Sequence, residues 1–172
     1  MSWILYLVLG AFALYLCYNF AALSLFGAPK SLSNTFYLFQ ERKPWQRFLC
    51  PIMMVGVAFL LLPAWLEISA ASPLMFMAFF AAGGILFTGA APAFNSSKLE
   101  NNVHTVSAIF ATTFALLWVI FVAKLWWFII VWFVLIALIS LLTNTWKTSY
   151  VYWLETVAFM STFTAIIAFF LV

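Results

Sequence analysis

The chain has no aspartate, one histidine (His104), two cysteines and only 6% charged residues among 172. Each scarcity removes a class of function. Membrane hydrolases that hold zinc draw on about three His or acidic ligands plus an acid or base; one histidine and four acidic residues are a poor supply. No metal and no cofactor are therefore expected. Cys17 and Cys50 both fall in apolar runs, which favours small buried thiols over a disulfide framework. No Gly-rich phosphate loop is present, and "AAGG" at 81–84 lies within an apolar run, where it reads as helix packing. The pI near 9.0 comes from a few loop cations; no basic patch interleaved with aromatics is long enough for nucleic acid. A Ser-His-acid triad survives by residue count, but its strand-turn-helix nucleophile elbow is missing. No catalytic residue is assigned.

The shortage of charge also excludes an ordinary soluble domain, in which about 25% of residues are charged. In its place stand 68% apolar and 21% aromatic residues, with a mean hydropathy of +1.17. Such a surface would aggregate in water. Lipid is the medium that remains, and there the backbone must satisfy its own hydrogen bonds. The apolar runs are continuous, so helices are expected and not the alternating strands of a barrel. The expected fold is all-α: a polytopic six-helix transmembrane bundle forming one domain over 1–172, with spans at 3–26, 45–66, 73–91, 98–122, 125–142 and 149–171. The first run lacks a basic n-region and exceeds the roughly 7–15 apolar residues of a signal h-region, so it reads as a retained span.

Turn and cap signals divide these runs. Gly27-Ala28-Pro29 closes the first, Ser72-Pro73 precedes the third, and Ala91-Pro92 closes it. Ser97-Lys98-Leu99-Glu100 reads as a capping box opening the fourth. Ala123-Lys124 is a tight link, which predicts that the fourth and fifth helices are antiparallel neighbours; one long helix there would give five spans. Loops one, three and five carry Lys30, Arg42, Lys43, Arg47, Lys98 and Lys147, and the opposite side has only Lys124. That bias places the three loops in the cytosol, both termini outside, and the chain in the inner (plasma) membrane. Trp3, Trp65, Trp126 and Trp127 are expected at the outer interface, Trp45 and Trp146 at the inner.

In the first loop, Leu32, Phe36 and Phe39 recur at helical spacing among Ser33, Asn34, Gln40 and Glu41. Two readings stay open: a short amphipathic helix in the inner headgroup region, or a plain connector whose Arg42, Lys43 and Arg47 touch anionic lipid. The third segment carries Ala78, Ala81, Ala82, Gly83, Gly84 and Gly89, small residues that let backbones approach closely. It is expected to be central; an interface with a second copy of the chain would use the same chemistry. No internal repeat is evident, which weighs against an inverted-repeat transporter.

The rare polar groups recur at one depth. His104 and Glu155 each fall about 9 Å into their segments, and Asn19 about 10 Å from the inner end of the first. Thr88 is slightly shallower. A carboxylate in hydrocarbon needs a partner, water or a proton. Asn19, Thr88, His104 and Glu155 are therefore the candidate ligand-binding residues, lining a polar layer in the cytosolic half, with Lys30, Tyr37, Asn95 and Lys147 at its mouth. The competing reading is hydrogen-bonded glue between helices, worth about 1 kcal/mol per contact. Glu100, three residues after Ser97, is assigned to the cap.

The stretches "GAPKSLSNTFY", "LLPAWLEIS", "TGAAPAF" and "VH" resemble a group of small uncharacterised multi-span proteins from gut Bacteroidales and their phages. Pro29, Lys30, Ser31, Ser33, Tyr37, Pro63, Pro92, Phe94 and His104 stand at matching positions. The resemblance runs over most of the chain and implies a bacterial or phage origin; it brings no activity, ligand or functional residue. The expected function is a small membrane protein that binds or transports a small solute, lipid or proton through the polar layer. The alternative is a structural protein whose cytosolic loops recruit a partner, which would show an exposed aromatic face around Phe36 and Phe39.

Overall fold

A computed structural model describes residues 3–171. The elements in chain order are α1 (Trp3–Phe26), α2 (Thr35–Arg42), a 3-10 turn (Pro44–Phe48), α3 (Leu49–Ser69), α4 (Phe76–Ala90), α5 (Lys98–Phe121), α6 (Trp127–Leu142) and α7 (Trp146–Leu171). No strand occurs among the described residues. Helix boundaries follow the local chemistry. Gly27 ends α1 with φ +70°, a left-handed conformation that glycine adopts without strain, and its N–H donates to the Leu23 carbonyl. Pro44 opens the 3-10 turn, where its missing N–H costs nothing. Ser97 caps α5 by accepting the Glu100 N–H at 3.1 Å. Lys124 (φ +57°) turns the chain between α5 and α6, so these are two helices and not one.

The chain is a helical membrane protein, with four helical stretches long and apolar enough to cross a bilayer: 3–26, 44–69, 98–121 and 146–171. The six spans read from sequence are not all of that length. Helix α4 has 15 residues and α6 has 16, against the ~20 that cross a hydrocarbon core. Sequence reading had counted the apolar turns that precede them, residues 73–75 and 125–126, as helix. The second segment also runs on to Ser69, and the last begins at Trp146 with a kink at Ser149 (φ −131°, ψ 24°).

Five helices close into a ring. Helix α3 packs on α1 and α4, α4 lies between α3 and α5, and α7 joins α5 back to α1. Helix α6 packs along α7, so the short α5–α6 link does not make those two helices packed neighbours as expected. The link leaves α6 free to pivot onto the better partner; Trp132 Nε1 donates to Thr164 Oγ1 of α7 at 3.1 Å. Inside the ring lie Val8, Tyr15, Val57, Leu61, Trp118 and Phe163, each 1% exposed or less. Trp65 is also wholly buried, edge-on to Trp118 with centroids 6.4 Å apart, so it is a core residue and not an interfacial anchor. Trp118 Nε1 donates to Ser69 Oγ at 2.8 Å and ties α5 to the end of α3.

The small residues of α4 act where backbones approach. A Cβ on Gly84 would lie 2.5 Å from the Ala111 nitrogen and 2.7 Å from the Ser107 carbonyl oxygen of α5, while one on Gly83 would meet nothing within 4 Å. Gly89 lies against Met54 of α3 in the same way. Helix α4 is thus clamped between two partners, with Phe79, Phe80 and Phe87 exposed on its outer side. Replacing Gly84 by valine is expected to destabilise the fold by about 1–3 kcal/mol through overpacking, whereas Gly83→Val should be near neutral. Thermal unfolding of both variants in one detergent checks this; equal losses would contradict the close approach of α4 and α5.

Candidate functional site

Loop one does not lie on the surface of the bundle. Pro29, Leu32, Ser33, Thr35, Phe36 and Phe39 are all buried. The amphipathic α2 exists, but its apolar face turns into the protein: Phe39 packs on Tyr18 and edge-on to Phe26, with centroids 5.7 and 5.0 Å apart. The exposed aromatic face that partner recruitment would need at Phe36 and Phe39 is therefore absent. Tyr18 and Thr35 hydroxyls share a hydrogen bond, and Thr35 Oγ1 donates to the Leu32 carbonyl at 2.5 Å.

The segment 28–32 is laced to α7 through its backbone. The Ala28 carbonyl accepts from Ser149 Oγ at 2.9 Å, the Lys30 carbonyl from the Tyr152 N–H at 3.2 Å, and the Leu32 N–H donates to Glu155 Oε2 at 2.6 Å. Backbone groups inside a helical layer need such partners. Ser149, Tyr152 and Glu155 recur every three residues, so one face of α7 supplies all three contacts.

Beside this seam lies a cavity of about 510 Å³, bounded by α5, α7 and the residues 30–31. His104 and Glu155 line it from facing helices, with Lys30 at the loop side. His104 is 7% exposed and its Nδ1 lies 2.9 Å from the Ala91 carbonyl oxygen; a carbonyl only accepts, so Nδ1 carries a hydrogen. Its ring stacks on Phe94 at 4.5 Å, and Phe94 meets Tyr37 edge-on at 5.2 Å. The described hydrogen bond of His104 thus goes to backbone, with no hydroxyl nucleophile in it. Among the described residues, no three His, Cys, Asp or Glu side chains gather as a metal would require.

Not every expected site residue reaches this cavity. Thr88 faces a smaller adjoining space of about 20 Å³ with Glu155, and its Oγ1 donates to the Gly84 carbonyl. Asn19 is not on the wall of the larger cavity; it bridges α1 and α7 by accepting from Tyr152 Oη at 3.0 Å while its Nδ2 donates to the Tyr15 carbonyl. Tyr37 and Asn95 stand behind the wall, where Tyr37 Oη accepts the Asn95 N–H at 2.7 Å and holds loop three. Lys147 is exposed at the start of α7, off the wall. Glu100 departs from the expected capping box: its carboxylate accepts from the Ala93 N–H at 3.2 Å and from the Ser96 hydroxyl, binding loop three and not the cap backbone.

Sequence reading missed Asn101, Thr105 and Thr112, which share the α5 wall with His104. Their spacing of four and seven residues, with small Ala108 between, is a polar stripe on one helix face. Threonines are common enough in apolar helices that only the stripe as a whole signals a wall. A further space of about 30 Å³ continues the seam past Thr112 to Trp65, whose Nε1 has no hydrogen-bond partner among the described residues.

Replacing Glu155 by leucine leaves the buried Leu32 N–H without an acceptor, at an expected cost of about 1–3 kcal/mol. Glu155→Gln retains an amide oxygen and should cost less. Thermal unfolding in detergent, together with tryptic cleavage after Lys30, distinguishes the two; equal behaviour would mean the carboxylate is not what holds the loop. Set against protein-family models, curated proteins and solved structures, the chain matches none of them.

Proposed function

We propose that this chain binds or transports a small ligand across or within a bacterial inner membrane, using the cavity between α5, α7 and loop one. The supporting observation is that cavity itself: Lys30, His104 and Glu155, three of the chain's few ionisable groups, face one space of about 510 Å³, a size within the usual range for small-molecule sites. Ionisable groups at this depth mark ligand or proton paths more often than scaffolding. A protein that only recruits partners has no need of such a space, and its expected aromatic surface is folded inward.

In this reading six helices cross the bilayer. Loops one and three meet through Tyr37 and Asn95, and loop one meets the start of α7 through Ala28 and Ser149. Loops one, three and five therefore sit at one end of the bundle, together with six of the seven basic residues. That is the cytosolic end by charge, and both termini lie outside. Helices α4 and α6 have 15 and 16 residues, and the apolar residues 74–75 and 125–126 precede them; local thinning or flanking residues accommodate such a mismatch at modest cost.

Cysteine substitutions along α5 test the reading in intact membranes, on a background with Cys17 and Cys50 replaced by alanine. Thr105→Cys and Asn101→Cys should react with a water-soluble maleimide supplied from the cytosolic side, and Phe110→Cys on the outer face of α5 should not. If Asn102→Cys at the helix start reacts but Thr105→Cys stays inert, the cavity is sealed from water and the proposal fails.

A further inference from the structure

The cavity is polar at one end and apolar at the other. Lys30, Ser31, Asn101 and His104 line its inner part, and Ile109 and Leu154 flank the far part. From Asn101 to Thr113 the α5 wall runs about 18 Å at 1.5 Å per residue, far longer than a compact solute needs. The far part is open sideways, since Ile109 is 58% exposed and Leu154 is 44% exposed. Helix α7 shows why. Ser161 and Ala165 follow Leu154 by seven and eleven residues, on the same helix face. Both are fully buried, so this face is covered toward the outer end and uncovered at the level of Glu155. A side opening at that height, in a chain that crosses a bilayer, faces acyl chains.

Charge narrows the class. Lys30 brings an ammonium to this space and Glu155 a carboxyl group that a bound cation would hold ionised, yet no ion pair joins them among the described residues; the described hydrogen bond of Glu155 is with the Leu32 N–H. A purely anionic headgroup would set its charge against Glu155, and a purely cationic one against Lys30. Like charges brought together in a poorly hydrated site are rejected. A ligand carrying both signs meets both residues.

The geometry points to a zwitterionic phospholipid as the ligand, with its phosphate at Lys30, Ser31 and Asn101, its ammonium at Glu155, and one acyl chain leaving past Ile109 and Leu154. This rests on the cavity being a binding site and names what it binds. The lateral opening serves as the way in, so that the ligand never leaves the bilayer.

The test uses the full chain in nanodiscs holding equal parts phosphatidylethanolamine and phosphatidylglycerol of identical acyl chains, followed by extraction and native mass spectrometry. Phosphatidylethanolamine should be retained in preference to phosphatidylglycerol by about tenfold, a difference that Glu155→Gln should abolish and Lys30→Gln, which weakens both lipids, should not. Leu154→Trp, which fills the opening from an exposed position without touching the core, should lower retention of both lipids. Equal retention of the two lipids by the unaltered chain, or retention indifferent to all three substitutions, overturns the assignment. If that happens while Thr105→Cys reacts with the aqueous maleimide, the lipid falls and the binding cavity stands; if Thr105→Cys is inert as well, both fall.

Discussion

A backbone N–H of loop one and the carboxylate of Glu155 meet at 2.6 Å on the N-terminal half of α7, and that end of the bundle is organised around the contact. Neither partner is well placed alone. An amide inside a helical layer needs an acceptor, and a carboxylate there needs a donor or water. Together they solve each other's problem, and in doing so they draw Leu32 and the aromatic face of α2 into the end of the ring. Loop one is thereby a structural element of the bundle, not a tether between spans.

The cavity is a consequence of that arrangement. Pinning residues 28–32 along α7 holds Lys30 and Ser31 beside the space between α5 and α7, where side chains on α5 are small or short: Thr105, Ala108, Thr112. Close packing elsewhere sharpens the contrast. At Gly84 the backbones of α4 and α5 nearly touch, and the C-terminal ends of α3 and α5 are filled by Trp65 and Trp118, both wholly buried. The larger open seam thus lies between α5 and α7, while a second groove of about 390 Å³, lined by Phe79, Phe80, Phe87 and Phe110, flanks the close contact of α4 with α5. His104 stands at the edge of that seam, fastened to Ala91 and to the Phe94 ring, so that loop three forms part of the same wall.

Much of this was legible in the residues, and what was not has definable causes. Glu155 and His104 stood out because a polar or ionisable group in an apolar run is costly and rare, and they do face one space. Asn19 stood out for the same reason but spends its polar groups on Tyr15 and Tyr152, a use that sequence depth alone does not separate from a ligand site. Lys147 shares the charge and the end of the bundle with Lys30, but it lies two residues before the α7 bend at Ser149, which depth along the chain does not reveal. Trp65 carries the composition of an interfacial anchor; only its neighbours α4 and α5 make it core. The error over α6 has the same origin, since a short link limits how far the next helix can go but does not choose which helix it packs on.

By itself the sequence determined the medium and the helical state, because these follow from composition and from the obligation of backbone groups to pair. It also set several helix boundaries, through Gly27 at the end of α1, Pro44 at the 3-10 turn and Ser97 at the start of α5. The tertiary structure decided which polar groups share a space, that loop one folds inward, and that the open seam lies between α5 and α7. These depend on the rotation of each helix about its own axis and on contacts between residues as far apart as Leu32 and Glu155, quantities that no local pattern encodes.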